Sequence, residues 1–190
     1  MREPVYTDRP GCFEEYKAIL TAIYKMAGGN PIVDLGVGEG HVTKEWDGVY
    51  MDLVVRPTAP GKTMKADILD APKILAQFNY NLMIMSDVIE HLPKQPARRL
   101  LADMDALCKA RFIFTPLGPY HEQPNATHPD AHKSSWMPGE FSGLNWECLV
   151  YRRYHIFSGE AALGAFFAWK FRDEPTPTVA EVLKLAGISL

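Results

Sequence analysis

The sequence predicts an α/β fold: a seven-stranded, doubly wound sheet, mostly parallel, ending in an antiparallel C-terminal hairpin. Three observations predict it. The run Pro31-Ile32-Val33-Asp34-Leu35 stops at the turn Gly36-Val37-Gly38-Glu39-Gly40, as a buried strand does when it turns tightly out of a sheet. The run Asn81-Leu82-Met83-Ile84-Met85 is continuously apolar, which suits a strand covered on both faces. Two further strand-like segments, near 146–157 and 162–171, flank Ser158-Gly159, the signal of a hairpin.

The other elements follow in chain order. Residues 1–12 are polar and contain proline, and read as a loosely held arm. From Glu14 to Ala27 the apolar residues Tyr16, Ile19, Leu20, Ile23 and Ala27 recur at helical spacing, and Gly28-Gly29 supplies a stop. This helix packs on the sheet or lids one end of a ligand site, and packing is the favoured role. Asp47-Gly48 already signals a turn, and Asp34 and Asp52 are only 18 positions apart. The helix after the first strand is therefore short, about two turns. A second strand, Val49-Tyr50-Met51-Asp52-Leu53, runs into the loop Arg56-Pro57-Thr58-Ala59-Pro60-Gly61, where two prolines leave little room for a crossover helix. A short third strand lies near 63–68 and a small helix near 71–78. A fourth strand covers 81–87. A helix from Pro96 to Lys109 carries the stripe Ala97, Leu100, Leu101, Met104 and Leu107, and a fifth strand is Arg111-Phe112-Ile113-Phe114-Thr115. The long irregular loop from Pro116 to Lys133 has the length of a functional segment. Ser134 or Ser135 caps a short helix through Leu144, and a small amphipathic helix (Val179, Val182, Leu183, Ala186) ends the chain.

Composition bounds the function. The chain of 190 residues fits one domain: an arm and helix at 1–29, a core at 30–171 and a tail at 172–190. Hydrophobic content of 47% and charged content of 23% place it among soluble globular proteins. A net charge of −3 argues against a nucleic-acid footprint. No apolar run approaches the roughly 20 residues that span a bilayer, and Met1-Arg2-Glu3-Pro4 opens no signal core. Three widely spaced cysteines, Cys12, Cys108 and Cys148, suit a reducing compartment, so a cytoplasmic location is expected. With no C-x-x-C pair, no cysteine-based zinc site is expected. The oligomeric state is not legible.

The glycine turn is spaced neither as Gly-x-x-x-x-Gly-Lys-Ser/Thr nor as Gly-x-Gly-x-x-Gly, because position 41 is His41. A phosphate-gripping loop is excluded and a nicotinamide-binding one is disfavoured. Asp34 would repel a pyrophosphate but suits a positively charged amino group. Bare N–H groups of the following helix are expected to face the ligand. Asp52, at the carboxyl end of the second strand, can accept both hydroxyls of a ribose.

With Asp67-Ile68 after the third strand and Ser86-Asp87-Val88-Ile89-Glu90-His91-Leu92 after the fourth, these residues resemble, over 30–171, the class I S-adenosylmethionine-dependent methyltransferases, the small-molecule type in particular. The resemblance implies a Rossmann-like sheet, here in a trimmed version, and S-adenosylmethionine as cofactor. It implies that Gly36, Gly38 and Gly40 let the backbone approach the cofactor. Asp34 then faces the methionine amino group or orients the glycine loop through water. Asp52 holds the ribose, Leu53 lies beside the adenine, and Asp67 with the Ile68 N–H reads the adenine edge, Asp70 being an alternative. Ser86 and Asp87 lie by the methionine moiety and the acceptor.

Methyl transfer from a sulfonium needs alignment and, for a hydroxyl acceptor, a base. The candidate bases are Asp87, Glu90, His91 and His121, with Asp87, His91 and His121 placed around the acceptor. His121, His128, Asp130 and His132 in the long loop are metal-ligand types, but their irregular spacing favours a polar lid over the acceptor, and no metal is expected. Trp136, Phe141 and Trp146 form either an apolar wall or core. Ser-Asp-Val-Ile at the end of the fourth strand departs from Asn/Asp-Pro-Pro-Tyr/Phe, which disfavours methylation of an exocyclic base nitrogen or a glutamine amide. The expected function is methyl transfer to a small-molecule, sugar or peptide-like acceptor. The alternatives are a non-catalytic cofactor-binding module, a nucleic-acid methyltransferase, and another reaction of the cofactor such as aminopropyl transfer.

Overall fold

The computed structural model describes residues 2–120, 122–142, 145–155 and 163–190. Its strands are β1 Val5–Pro10, β2 Ile32–Leu35, β3 Gly48–Asp52, β4 Thr63–Lys65, β5 Tyr80–Ser86, β6 Cys108–Pro116, β7 Glu147–His155 and β8 Leu163–Phe171. They form one eight-stranded sheet in the order β1-β7-β8-β6-β5-β2-β3-β4. Strands β4, β3, β2, β5 and β6 are mutually parallel. Strand β8 runs antiparallel to both β6 and β7, and β1 pairs parallel with β7.

This order positions the site. After β1 and α1 the chain enters the centre of the sheet at β2, steps outward through β3 and β4, and returns on the other side of β2 as β5. The connections leaving β2 and β5 therefore diverge and open a crevice at the carboxyl ends of these two strands, the place where ligands bind open α/β sheets.

Side-chain alternation divides the core into two layers. On one face Ile32, Leu82, Ile84, Phe112 and Phe167 meet helix α1, Phe13–Met26, through Ile19, Leu20 and Ile23. On the other, Val33, Met83, Met85 and Ile113 meet Ala97 and Leu100 of the later helix Lys94–Asp103. Trp136, Phe141 and Trp146 are buried in this second layer, so they are core. The last helix, Val179–Ala186, joins the first layer and is bounded by a Thr178–Glu181 capping box and by Gly187 at φ +71°. In chain order the remaining helices number α2, Ala71–Ile74; α3, Lys94–Asp103; α4, Gly139–Ser142; and α5, Val179–Ala186.

Several expectations are corrected. Residues 5–10 of the expected arm form an edge strand, giving eight strands rather than seven, because β7 offers them an unpaired parallel edge. The segment after β2 is a run of turns and not a two-turn helix, since β3 begins at Gly48. Strand β4 stops at Lys65, and Asp67 instead caps the 3-10 turn Ile68–Asp70. The helix expected at 71–78 closes after Ile74. The one expected through Lys109 ends in a 3-10 turn, Met104–Ala106, which lets β6 start at Cys108. The helix expected after Ser134 is confined to Gly139–Ser142 among the described residues. The Ser158-Gly159 turn lies outside the described residues. Among the described residues no helix is long and apolar enough to cross a membrane.

One contact fixes the crevice. Gly36 has φ +74°, and a Cβ there would lie 2.5 Å from Val88 Cγ2. The turn after β2 can thus sit directly against the turn after β5 only because residue 36 has no side chain. Gly36→Ala is expected to lower stability by at least about 2 kcal/mol, from left-handed strain and overpacking. Val88→Ala in the same chain should recover the overpacking part only, measured by urea unfolding as a double-mutant cycle.

Candidate active site

Two adjoining cavities occupy the crevice. The larger, about 910 Å³, is lined by Gly36, Gly38, Asp52, Leu53, Asp67, Ile68, Ser86, Asp87 and His91, together with Arg56, Pro129, Asp130 and Lys133. The smaller, about 330 Å³, lies against α1 and is lined by Phe13, Tyr16, Asp34, Gly40, His41, Thr43, Phe114 and Tyr154. Gly36, Ser86 and Asp87 line both. The cofactor-site residues expected from the sequence, with Asp87 and His91, therefore border one or both cavities; the candidate base Glu90 lines neither, and His121 lies outside the described residues.

At the end of β3, Asp52 works in two directions. Its Oδ2 accepts from the Gly38 N–H and its Oδ1 from the Val54 N–H, both at 2.9 Å. It stitches the glycine loop to the segment after β3, and each carboxylate oxygen retains acceptor capacity for a ligand hydroxyl. Asp67 Oδ1 accepts from the Leu69 N–H at 2.9 Å. Asp70 instead pairs with Lys73 and is absent from the linings of both cavities.

Within the glycine turn itself, four N–H groups are used by the protein. Gly36 and Val37 donate to the Met51 carbonyl, Gly38 to Asp52, and Gly40 to the Val37 carbonyl. These N–H groups stabilise the turn itself.

Asp34 is 5% exposed. The Thr43 hydroxyl donates to its Oδ2 at 2.5 Å. Burial raises its pKa to about 7, the Thr43 bond opposes that rise, and the charge of Asp52 adds to it. Close by, the Tyr16 hydroxyl lies 2.8 Å from Ser86 Oγ. Sequence reasoning missed Thr43 and assigned Tyr16 to a packing stripe. Tyr16 does belong to that stripe, and only its tip reaches the site.

The acceptor side is built by the turn after β5 and the long loop. Asp87 sits at φ +50°, an unfavourable conformation for a residue with a Cβ, held here by its N–H bond to the Phe114 carbonyl. Glu90 and His91 follow in a 3-10 turn. The loop folds back onto that turn. The N–H groups of Lys133 and Ser134 donate to the Glu90 carbonyl, the Ser134 hydroxyl donates to the Leu92 carbonyl, and Lys94 lies 3.8 Å over the Trp136 ring. His132 is thereby delivered to His91, ring centroids 4.9 Å apart.

Glu90, His91 and His132 each offer a ligand atom within 4.8 Å of the others. His132 Nδ1 lies 2.8 Å from the Tyr120 carbonyl, which makes Nδ1 the protonated nitrogen and leaves Nε2 as a lone pair. The His91 ring bonds the Ala131 backbone, and its Nδ1 is buried without a partner. Glu90 is buried, and Thr115 donates to its Oε2 at 2.9 Å. Burial, with the charge of Asp87 adding, raises the Glu90 pKa; desolvation by the crevice walls raises that of Asp87, although its side chain is exposed, and burial lowers that of His91. Two imidazoles with fixed tautomers and a carboxylate form a donor set that fits a divalent cation. Linear spacing hid it, because two donors are adjacent and the third is about forty positions on.

No protein-family model matches the chain, and no curated protein matches it. In fold it is similar to solved methyltransferases. A SAM-dependent methyltransferase from Archaeoglobus fulgidus aligns at 16% identity and a TM-score of 0.56, over 83% of this chain and 98% of that one. The small RNA methyltransferase HEN1 aligns at 14% identity and a TM-score of 0.58, over 94% of this chain and 28% of that one. The N-terminal domain of EvdMO1, solved with SAH bound, aligns at 12% and 0.56, over 84% of this chain and 81% of that one. The fold is that of the class I S-adenosylmethionine-dependent methyltransferases.

Asp34 gives a prediction with a definite sign. Its pKa in the folded protein lies above the ordinary 3.8, so the folded chain keeps a proton that the unfolded chain releases. Its contribution to stability is therefore lost as pH rises from about 4 through about 7. Asp34→Asn removes that loss. In urea unfolding the variant should match wild type near pH 4 and exceed it at pH 8, by up to about 4 kcal/mol.

Proposed function

We propose that this protein transfers the methyl group of S-adenosylmethionine to a hydroxyl of a small-molecule acceptor. One observation carries the reading: the two cavities join at Gly36, Ser86 and Asp87 into one elongated space, with Asp52 and Asp67 at one end and the acidic, aromatic-walled cavity at the other. That shape and charge suit a nucleoside bearing an aminoacyl tail, with the sulfonium near the junction. Asp52 takes the ribose, Asp67 and Ile68 the adenine edge, and Asp34 the tail ammonium. The acceptor enters beside His91, Asp130 and Lys133.

In the reaction the acceptor oxygen attacks the methyl carbon in line. The O–C bond forms, the C–S bond breaks and its electron pair returns to sulfur, leaving S-adenosylhomocysteine. Asp87, with its raised pKa, takes the hydroxyl proton. Glu90, His91 and His132 would hold a divalent cation, which supplies Lewis acidity toward an acceptor oxygen when bound. That cluster favours oxygen over nitrogen as the acceptor atom.

Calorimetric titration with S-adenosylmethionine and S-adenosylhomocysteine tests the cofactor assignment. Micromolar binding is expected, weakened at least about tenfold in Asp52→Asn; a wild-type protein that binds neither would remove the reading. Mn²⁺ titration tests the cluster. One ion should bind per chain, and His132→Ala should weaken it at least about tenfold. Unchanged Mn²⁺ affinity would reduce the three residues to a hydrogen-bonded cluster.

A further inference from the structure

The smaller cavity has an electrostatic imbalance that points to one further residue. An aminoacyl tail is a zwitterion and needs partners of both signs. Among the described residues the lining supplies three carboxylates, Asp34, Glu39 and Asp87, but only one side chain able to carry positive charge, His41. Of the glycine turn's backbone, the N–H groups of residues 36, 37, 38 and 40 are donated within the protein, so positive charge must come from a side chain. Lysine and arginine are absent from this lining, and Arg56 and Lys133 border only the larger cavity.

His41 is placed for the task. It borders both cavities. Its Nε2 lies 3.2 Å from Glu39 Oε2, and its ring meets Phe13 of α1 edge-on at 6.3 Å between centroids. The imidazole is exposed and stands at the mouth between α1 and the glycine loop, with Glu39 and Phe13 as its neighbours. It can donate a ring N–H in either protonation state.

We infer that His41 reads the α-carboxylate of the cofactor's aminoacyl tail, and so distinguishes the complete cofactor from nucleosides that lack the tail. This rests on the cofactor reading above. Glu39 orients the imidazole and keeps it at the cavity mouth, while the opposite wall, at Asp34, is left to the ammonium.

The test compares two probes on the full chain by calorimetry. S-adenosylhomocysteine carries the tail; 5′-methylthioadenosine keeps the nucleoside and the thioether but lacks the amino acid. His41→Ala should weaken S-adenosylhomocysteine roughly tenfold or more and leave 5′-methylthioadenosine within about twofold. His41→Gln, which restores an N–H donor, should recover part of the loss. An equal loss for both probes would make His41 a scaffold of the loop, and no loss for the first would remove it from the tail site; either overturns the inference while leaving the cofactor reading intact. A wild-type chain that binds neither probe overturns both.

Discussion

The site depends on the absence of a side chain at residue 36. The turns after β2 and β5 are in contact at Gly36 and Val88, with no space for a Cβ between them. The ladder fixes the spacing of the two strands, and that contact sets how closely the turns beyond them approach; each turn carries one half of the site. From β2 come the glycine loop, Asp34 and the tie to Asp52; from β5 come Ser86, Asp87 and the turn bearing Glu90 and His91. Parallel pairing fixes their relative height, since Asp34 lies in register with Ile84, two residues before Ser86.

The same closeness concentrates negative charge. Asp34 and Glu90 are buried, and desolvation in the crevice raises their pKa values and that of the more exposed Asp87. A fold selected for stability alone would not place three carboxylates at the meeting of its two central strands, because each ionised group there loses hydration without a fixed cation to replace it. The cost is understandable where ligands supply the missing charge: an ammonium or sulfonium on one side, a divalent cation on the other. The positive φ of Asp87 belongs with this. Strain and desolvation fall on the same few residues, at the ends of β2 and β5 and in the turn that follows.

Much of this was legible because it is local in the chain. The apolar run into Gly36, the acid closing β3 and the apolar run of β5 each announce a buried parallel strand and what stands at its end. The residues that were missed depend on contacts the sequence does not encode locally. Thr43 reaches Asp34 because the chain after the glycine loop winds through turns, and Tyr16 extends from a packing stripe to touch Ser86 with its hydroxyl only. Strand β1 was unreadable for the same reason. Val5-Tyr6-Thr7 favour a strand, but Asp8 and Pro10 interrupt the pattern and the segment pairs only with the free edge of β7. His132 meets His91 only because the backbone after it bonds to the Glu90 carbonyl, and irregular loop spacing carries no signal of that.

The two flanks of the crevice are built differently, and this orients the chemistry. On the α1 side, Tyr16, Phe114 and Tyr154 are parts of the first core layer or rest on it, and the Tyr16–Ser86 hydrogen bond fastens α1 to the end of β5. That wall is a fixed piece of the fold. On the other flank the wall is a loop, held to the turn after β5 by backbone bonds to Glu90 and by the Ser134 and Trp136 anchors on Ile89 and Leu92. A ligand that must be recognised identically at each turnover belongs against the rigid wall, which suits the cofactor tail. A molecule whose identity varies between related enzymes belongs against the loop, where residues change without disturbing the core. Under the proposed function the acceptor would approach from the side of His132 and Lys133, and the methyl group would cross the crevice from the α1 side toward it.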